Sequence, residues 1–389
     1  FLPLLIQDLG VTDRGEVALW TGLAIGTSGM AMALASPVWG LLADRFGRKA
    51  MLVRAIASGS ILLGLQAAVT SVWQLAIVRI LQGAFTGTQT AAAMLLAGIV
   101  PKERTGFALG MLNTAVQVGN LAGPVLGGIA VASIGLRGSF VIGALVLGVC
   151  TVITIVWTDD VAVAPTSSGT GVRNVARDVF TPFAWPGLRG VLVIGTMVQV
   201  AWAGTIALIA IYVQDLARPS WLSLELTIGL SLALTALAAA IAMPILGAWA
   251  DRHDPRALLV VSLVVVSLSL VPQALIPDAV VFLALRLVLG AGAAGTTSAI
   301  AVLTRAGAPV GGEGRAFGAL AAAQNLGWGI GPIVGASFAA IVGIPALYLA
   351  AAVITLALVP AALTRSWFAT PERMRAEPLP IVTTAPAED

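Results

Sequence analysis

The sequence predicts an all-α membrane protein made of two six-helix bundles related by a pseudo-two-fold, with the first helix largely missing from this chain. Three observations carry that reading. The 389 residues are 58% hydrophobic and 10% charged, with a mean hydropathy of +0.98; a soluble domain carries about 25% charged residues. Eleven apolar runs approach or exceed the ~20 residues needed to cross a bilayer. The chain also repeats itself at long period. Gly40-Leu-Leu-Ala-Asp44-Arg45 returns as Gly247-Ala-Trp-Ala-Asp251-Arg252, and Val78-Arg79-Ile-Leu-Gln82-Gly83 returns as Leu285-Arg286-Leu-Val-Leu-Gly290. Gly119-Asn-Leu-Ala-Gly123-Pro124 returns as Gly327-Trp-Gly-Ile-Gly331-Pro332. The offsets are 207, 207 and 208 residues, so register holds across half a protein, as tandem bundles require.

Taken in order, residues 1–9 are apolar but too few to span, and no basic stretch precedes them as in a signal peptide. They read as the outer end of a first helix. Spans follow at 16–42, 51–70, 73–96, 106–132 and 139–158, closing an N-terminal bundle over 1–158. Residues 159–187 hold Asp159, Asp160, Pro165, Ser167, Ser168 and Gly169 and read as a linker. Spans at 188–214, 225–249, 257–276, 280–304, 314–341 and 345–366 make a C-terminal bundle over 188–366. Residues 367–389 are rich in Pro, Glu and Thr without apolar periodicity and read as a disordered tail.

Sixteen of the 21 Lys and Arg fall in one alternate set of loops with the linker and tail, three fall in the opposite loops, and Arg79 and Arg286 fall inside spans. That bias assigns the linker and C-terminus to the cytoplasm of a multi-pass protein, here of the bacterial plasma (inner) membrane. It also accounts for the sequence pI of 9.6 without nucleic acid as a partner. One cysteine, Cys150, and one histidine, His253, leave no metal cluster and no nucleophile–base pair. The chain is not expected to be an enzyme or to need a cofactor, and a monomer is expected.

The loop Gly40-Leu-Leu-Ala-Asp44-Arg45-Phe-Gly47-Arg48-Lys49 joins two spans through a tight turn. Gly40 lets a neighbouring helix pass closely, and Asp44 sits where a carboxylate can face another helix's positive N-terminus. Its second copy keeps Asp251 and Arg252. This loop resembles the signature loop of the major facilitator superfamily. The stretch Gly110-x8-Gly119-x3-Gly123-Pro124-x2-Gly127-Gly128 is similar to the antiporter motif of that superfamily. Arg79-Ile-Leu-Gln82-Gly83 resembles the fourth-helix motif of its proton-coupled exporters. The opening Phe1-Leu-Pro3 to Gly10 resembles the end of helix one in the twelve-helix drug:proton antiporters, the MdtG-like multidrug exporters among them. The resemblance covers about residues 1–366. The second copies have diverged: Asp254 and Pro255 stand where Gly47 and Arg48 do, and Ala336 where Gly128 does.

The resemblance implies a secondary transporter working by alternating access, exporting lipophilic, possibly cationic small molecules in exchange for protons. The rivals are an exporter of a sugar or amino-acid-like metabolite on the same fold, and a membrane sensor that does not transport. Gly119, Gly123 and Gly127 lie one turn apart and form a bare face that another helix can approach; Pro124 favours a kink. Arg79 lies about 9 Å inside its span, where a cation costs at least a few kcal/mol unless paired or wet. No carboxylate lies at mid-depth, so proton coupling is expected either in the missing start of helix one or at a shallow carboxylate such as Asp8 near the outer end, paired with Arg79; the Asp8–Arg79 version is slightly favoured. Gln82, Asn113, Gln117, Gln199, Trp202, Gln324 and Trp328 are mid-span polar or aromatic residues suited to a cavity for lipophilic substrates.

Overall fold

Polar loop residues mark where the helices start. In the computed structural model, which describes residues 1–100, 104–158, 183, 185–309 and 312–364, Asp13 caps α2 (Arg14–Phe46) by accepting from the Glu16 amide at 2.8 Å. After the seven-residue α1 (Leu2–Asp8) and α2 come α3 (Arg48–Ala68), α4 (Val72–Phe85), α5 (Thr88–Ile99) and α6 (Thr105–Trp157). The second half holds α7 (Pro186–Ala207), α8 (Ile209–Gln214), α9 (Leu224–Arg252), α10 (Pro255–Leu275), α11 (Ala279–Gly307), α12 (Glu313–Val342), α13 (Ile344–Ala357) and α14 (Val359–Leu363). Ser71, Ser223, Asp254 and Asp278 cap α4, α9, α10 and α11 through their side-chain oxygens, each satisfying amides a helix start leaves open.

Glycines at positive φ make the sharpest reversals: Gly47 (+91°) between α2 and α3, and Gly343 (+99°) between α12 and α13. Gly135 (+77°) interrupts the 53-residue α6, which is long enough for two spans. Gly135 and Gly343 stand 208 residues apart, so the repeat is visible in the turns. Nine helices among the described residues are long and apolar enough to cross a membrane, α6 counting once. Three expected spans differ from unbroken helices. The 73–96 span breaks at Thr86–Gly87, where Gly87 is left-handed (φ +109°); α7 and α8 meet at Leu208, and α13 and α14 at Leu358. Apolar periodicity cannot register a one-residue break, since hydrophobicity continues across it. The tail reading falls on residues outside those described; of the linker reading only 183 and 185–187 are described, and Pro186 and Gly187 already belong to α7.

Two helix groups result, one from each half. Within the first, α2 packs along α4 and α3 along α6; within the second, α9 packs along α11 and α7 along α12. The repeat is exact at the tightest crossings. Gly83 of α4 lies on the Ser28 carbonyl of α2, and Gly290 of α11 lies on the Thr235 carbonyl of α9. Both pairs are offset by 207 residues, and neither glycine has room for a Cβ. The groups meet along α2 with α12 and α6 with α9. There Gly22 and Gly26 abut Pro332, Ile333 and Ala336, while Gly128 abuts the Glu225 carbonyl and Gly229 the Pro124 carbonyl.

Substituting Gly83→Ala or Gly290→Ala is expected to lower the melting temperature of the purified protein, since overpacking costs about 1–3 kcal/mol. Gly123→Ala, where nothing lies within 4 Å of the added carbon, is expected to leave it unchanged or raise it. Thermal unfolding in detergent reads all three; equal melting of the Gly83 and Gly123 variants would refute the crossing.

Candidate functional site: a closed end, an open end and a cavity

The antiporter-motif glycines divide by environment. Gly128 meets α9 and is buried, and Gly127 faces the Phe1 ring. Gly119 and Gly123 are exposed with no atom near, which corrects the expectation of helix contact along that face in this conformation. The second copy makes the contact instead: Gly327, Gly331 and Gly335 lie against Gln199, Val200, Ala203 and Gly204 of α7. The helical position of Gly110 is described, its surroundings are not.

Among the described residues, every close glycine approach between the two groups lies in the half of the bundle away from the basic loops. Gly15 approaches Ala340, Gly22 Ala336, and Gly29 Gly329. That end also carries the polar pairs. Gln7 and Gln214, themselves 207 residues apart, exchange amide hydrogen bonds of 2.9 and 3.3 Å across the two groups. Arg14 of α2 pairs with Asp215 after α8. Beneath them Leu5, Ile6, Val17, Ala18, Leu208 and Ile211 form one apolar cluster from both groups. Toward the basic loops no close glycine approach joins the two groups among the described residues, and Leu34 of α2 is 77% exposed and Ile245 of α9 64% exposed.

Asp8 does not pair with Arg79. It accepts from Arg137 Nε at 3.0 Å, and Arg137 also donates to the Ala67 and Val69 carbonyls. Arg79 instead donates to Gln82 Oε1 at 2.8 Å, and Gln66 donates to the same oxygen at 3.0 Å. Asp8 ends α1 at the protein's rim, while Arg79 lies seven residues inside α4. Arg286, the second copy, is fully buried, donates to Tyr348 Oη at 3.0 Å and stacks over Phe282 at 4.7 Å. Sequence reading missed Arg54, counted with the loop cations. It lies within α3 with its guanidinium 3.4 Å above the Trp39 ring, a stacking that desolvates a cation favourably. Its position six residues into a helix was the available signal.

In the signature loop, Arg48 donates to the Met94 carbonyl at 2.9 Å, tying the α2–α3 turn to α5, and Lys49 is half-buried. Gly40, Asp44 and Arg45 occupy the last turns of α2, with side chains outside the described set. Asp251 and Arg252 are exposed at the end of α9, where His253 stacks on Trp249.

The mid-span polar residues do not form one cavity. Gln199, Trp202 and Gln324 line a cavity of about 200 Å³ inside the second group, between α7, α10, α11, α12 and α13. Gln82 is held by Arg79 and Gln66, and Gln117 accepts from Asn120 of its own helix at 3.2 Å. Trp328 is 38% exposed one turn beyond Gln324. Asn113 has no described side chain.

The Major Facilitator Superfamily profile matches residues 1–224 and 200–385. The chain belongs to that superfamily. This facilitator is 34% identical over 377 residues to the multidrug resistance protein MdtG of Proteus mirabilis (strain HI4320), covering 96% of this chain and 92% of the relative. It is 33% identical to the protein of the same name from Enterobacter lignolyticus (strain SCF1), over 92% of this chain and 84% of the relative. Its fold is similar to the nucleoside transporter NupG (TM-score 0.76, 14% identity, 93% and 92% covered). It is also similar to a bacterial homologue of the human lysosomal transporter Spinster in an inward-facing, unoccupied conformation (TM-score 0.72, 16% identity, 96% and 92% covered). The chain is therefore a transporter of that superfamily embedded in a membrane.

Removing the cross-group ion pair with Asp215→Asn is expected to raise the population open at the pair's end. An exposed pair contributes about 0.2–1 kcal/mol, a change of about 1.4- to 5-fold in the ratio of states. Spin labels at Thr12 and Ser220 should report a larger long-distance fraction; an unchanged distribution would show that the pair does not hold the groups together.

Proposed function

We propose that this facilitator exports lipophilic small molecules from a bacterial cell by alternating access, driven by protons. The observation that carries the proposal is the asymmetry of the two ends: polar pairs and close glycine contacts join the groups at one, and among the described residues no such glycine contact joins them at the other. The basic-loop bias places the open end in the cytoplasm, so the conformation is the one that loads cargo from inside. Relatives named for multidrug resistance support a lipophilic cargo over a sugar or amino-acid-like one.

Transport then needs the closed end to open and the open end to close. Gly119 and Gly123 face free space now and supply a bare surface for that second closure. The signature-loop residues Asp44, Arg45, Arg48 and Lys49, with Asp251 and Arg252 opposite, are proposed to hold the cytoplasmic end when it shuts. Arg14–Asp215 must break when the outer end opens. Arg137 keeps Asp8 in place within one group.

In cells lacking their own exporters, expression of the chain is expected to lower steady-state accumulation of ethidium or Nile red, and a protonophore to restore it. Asp44→Asn is expected to abolish the effect at equal membrane expression. Undiminished accumulation of both dyes, with export of a polar metabolite instead, would overturn the drug-export reading.

A further inference from the structure

The cavity of the second group has a chemistry that the cargo must match. It has no charged side chain: its polar lining is Gln199, Gln324, Trp202 and threonines 205, 296, 297 and 355, among apolar walls such as Leu263, Val266 and Leu289. The four threonine hydroxyls already spend their hydrogens. Thr205 donates to the Ala201 and Trp202 carbonyls, Thr296 to Gly292 at 3.0 Å, Thr297 to Ala293 at 2.9 Å, and Thr355 to Ala351 at 2.6 Å. What they present to the cavity is lone pairs. The Gln199 and Gln324 amides and the Trp202 indole N–H meet no hydrogen-bond partner among the described residues, and their amide oxygens add two more acceptors. The walls are therefore richer in acceptors than in donors.

From this lining we infer that the cavity is a binding subsite for an uncharged aromatic group carrying a hydrogen-bond donor, such as a phenol or an anilide N–H. The inference rests on the transporter reading and deepens it. Three physical points select that class. Trp202 and the aliphatic walls offer a ring apolar contact and a stacking face. The lone pairs of the threonine and glutamine oxygens pair a ligand donor, which would be costly to bury unpaired, and a phenol oxygen can also accept from the free Gln and Trp N–H groups. A cation entering this site would shed water with no carboxylate on the lining to replace it, a large penalty. The volume, about 200 Å³, is below the roughly 300–1,000 Å³ of whole drug sites, so the subsite takes one ring system and leaves the rest of a larger molecule outside.

The test is equilibrium binding to the purified full chain in lipid nanodiscs, read by calorimetry, with three probes of one shape: 2-naphthol, 2-methoxynaphthalene and 2-naphthyltrimethylammonium. The expected order is naphthol tightest, the methoxy compound about three- to tenfold weaker for one lost hydrogen bond, and the ammonium weakest. Thr296→Val, which keeps shape and removes the lone pairs, is expected to weaken naphthol binding and leave methoxynaphthalene binding unchanged. Equal affinity for naphthol and methoxynaphthalene, or tightest binding of the ammonium, would overturn the inference without any variant. Dye export by cells is a separate readout: export intact with naphthol and methoxynaphthalene bound equally sinks the subsite alone, and export absent with the expected probe order sinks the transport reading alone.

Discussion

The structure depends on one helix, α12, being bare on two faces at once. Gly327, Gly331 and Gly335 let α7 approach to backbone contact, and Gly329 with Pro332 and Ala336 lets Gly22, Gly26 and Gly29 of α2 do the same on the other side. In lipid no hydrophobic force drives helices together, because the tails are as apolar as the side chains; close packing and interhelical polar contacts must do it. A large side chain on either face of α12 would separate a helix from its own bundle or separate the two groups. The joint between the halves is therefore made by the same helix that organises the second half, and a shift of α12 is felt by both.

Buried cations show how one repeat can be kept with two different solutions. Arg79 and Arg286 occupy equivalent positions, four residues before the glycines that cross on Ser28 and Thr235. In the first half the amide oxygen of Gln82 accepts from Arg79, and the same oxygen accepts from Gln66. In the second half the residue equivalent to Gln82 is Leu289, and Tyr348 with the Phe282 face takes over. An intramembrane cation costs at least a few kcal/mol unless neutral polar or aromatic groups replace water, and either set does so. The first arrangement leaves a polar chain reaching toward α3; the second is sealed. That difference fits a division in which the first half carries the motifs of movement and the second carries the cavity.

Closing contacts at the far end add individually weak polar contacts, an exposed ion pair and one pair of amides, to the glycine crossings and an apolar cluster shared by both groups. Polar contacts of that size can break in the cycle proposed above, in which that end opens. A two-state element needs its states to lie within a few kcal/mol of each other, so contacts of comparable extent are required where the other end closes.

The sequence by itself determined the class, the repeat and its register, because composition sets the solvent and the same landmarks recur 207 to 208 residues apart whatever the packing. It also located the turn at Gly47 and placed Arg79 and Arg286 inside spans, since glycine and charge are local signals. Helix breaks at Gly87 and Leu208 escaped it, because hydrophobicity is continuous across a change of one residue's dihedrals. Partner choice escaped it too. Asp8 met Arg137, not Arg79, and Gln82 met an arginine where a substrate was expected, because α1, α3, α4 and α6 converge from distant stretches of chain. Gln199, Trp202 and Gln324 were legible as mid-span polar residues; that they share one uncharged cavity, with threonine hydroxyls already turned to their own backbones, was decided only when five helices packed around it.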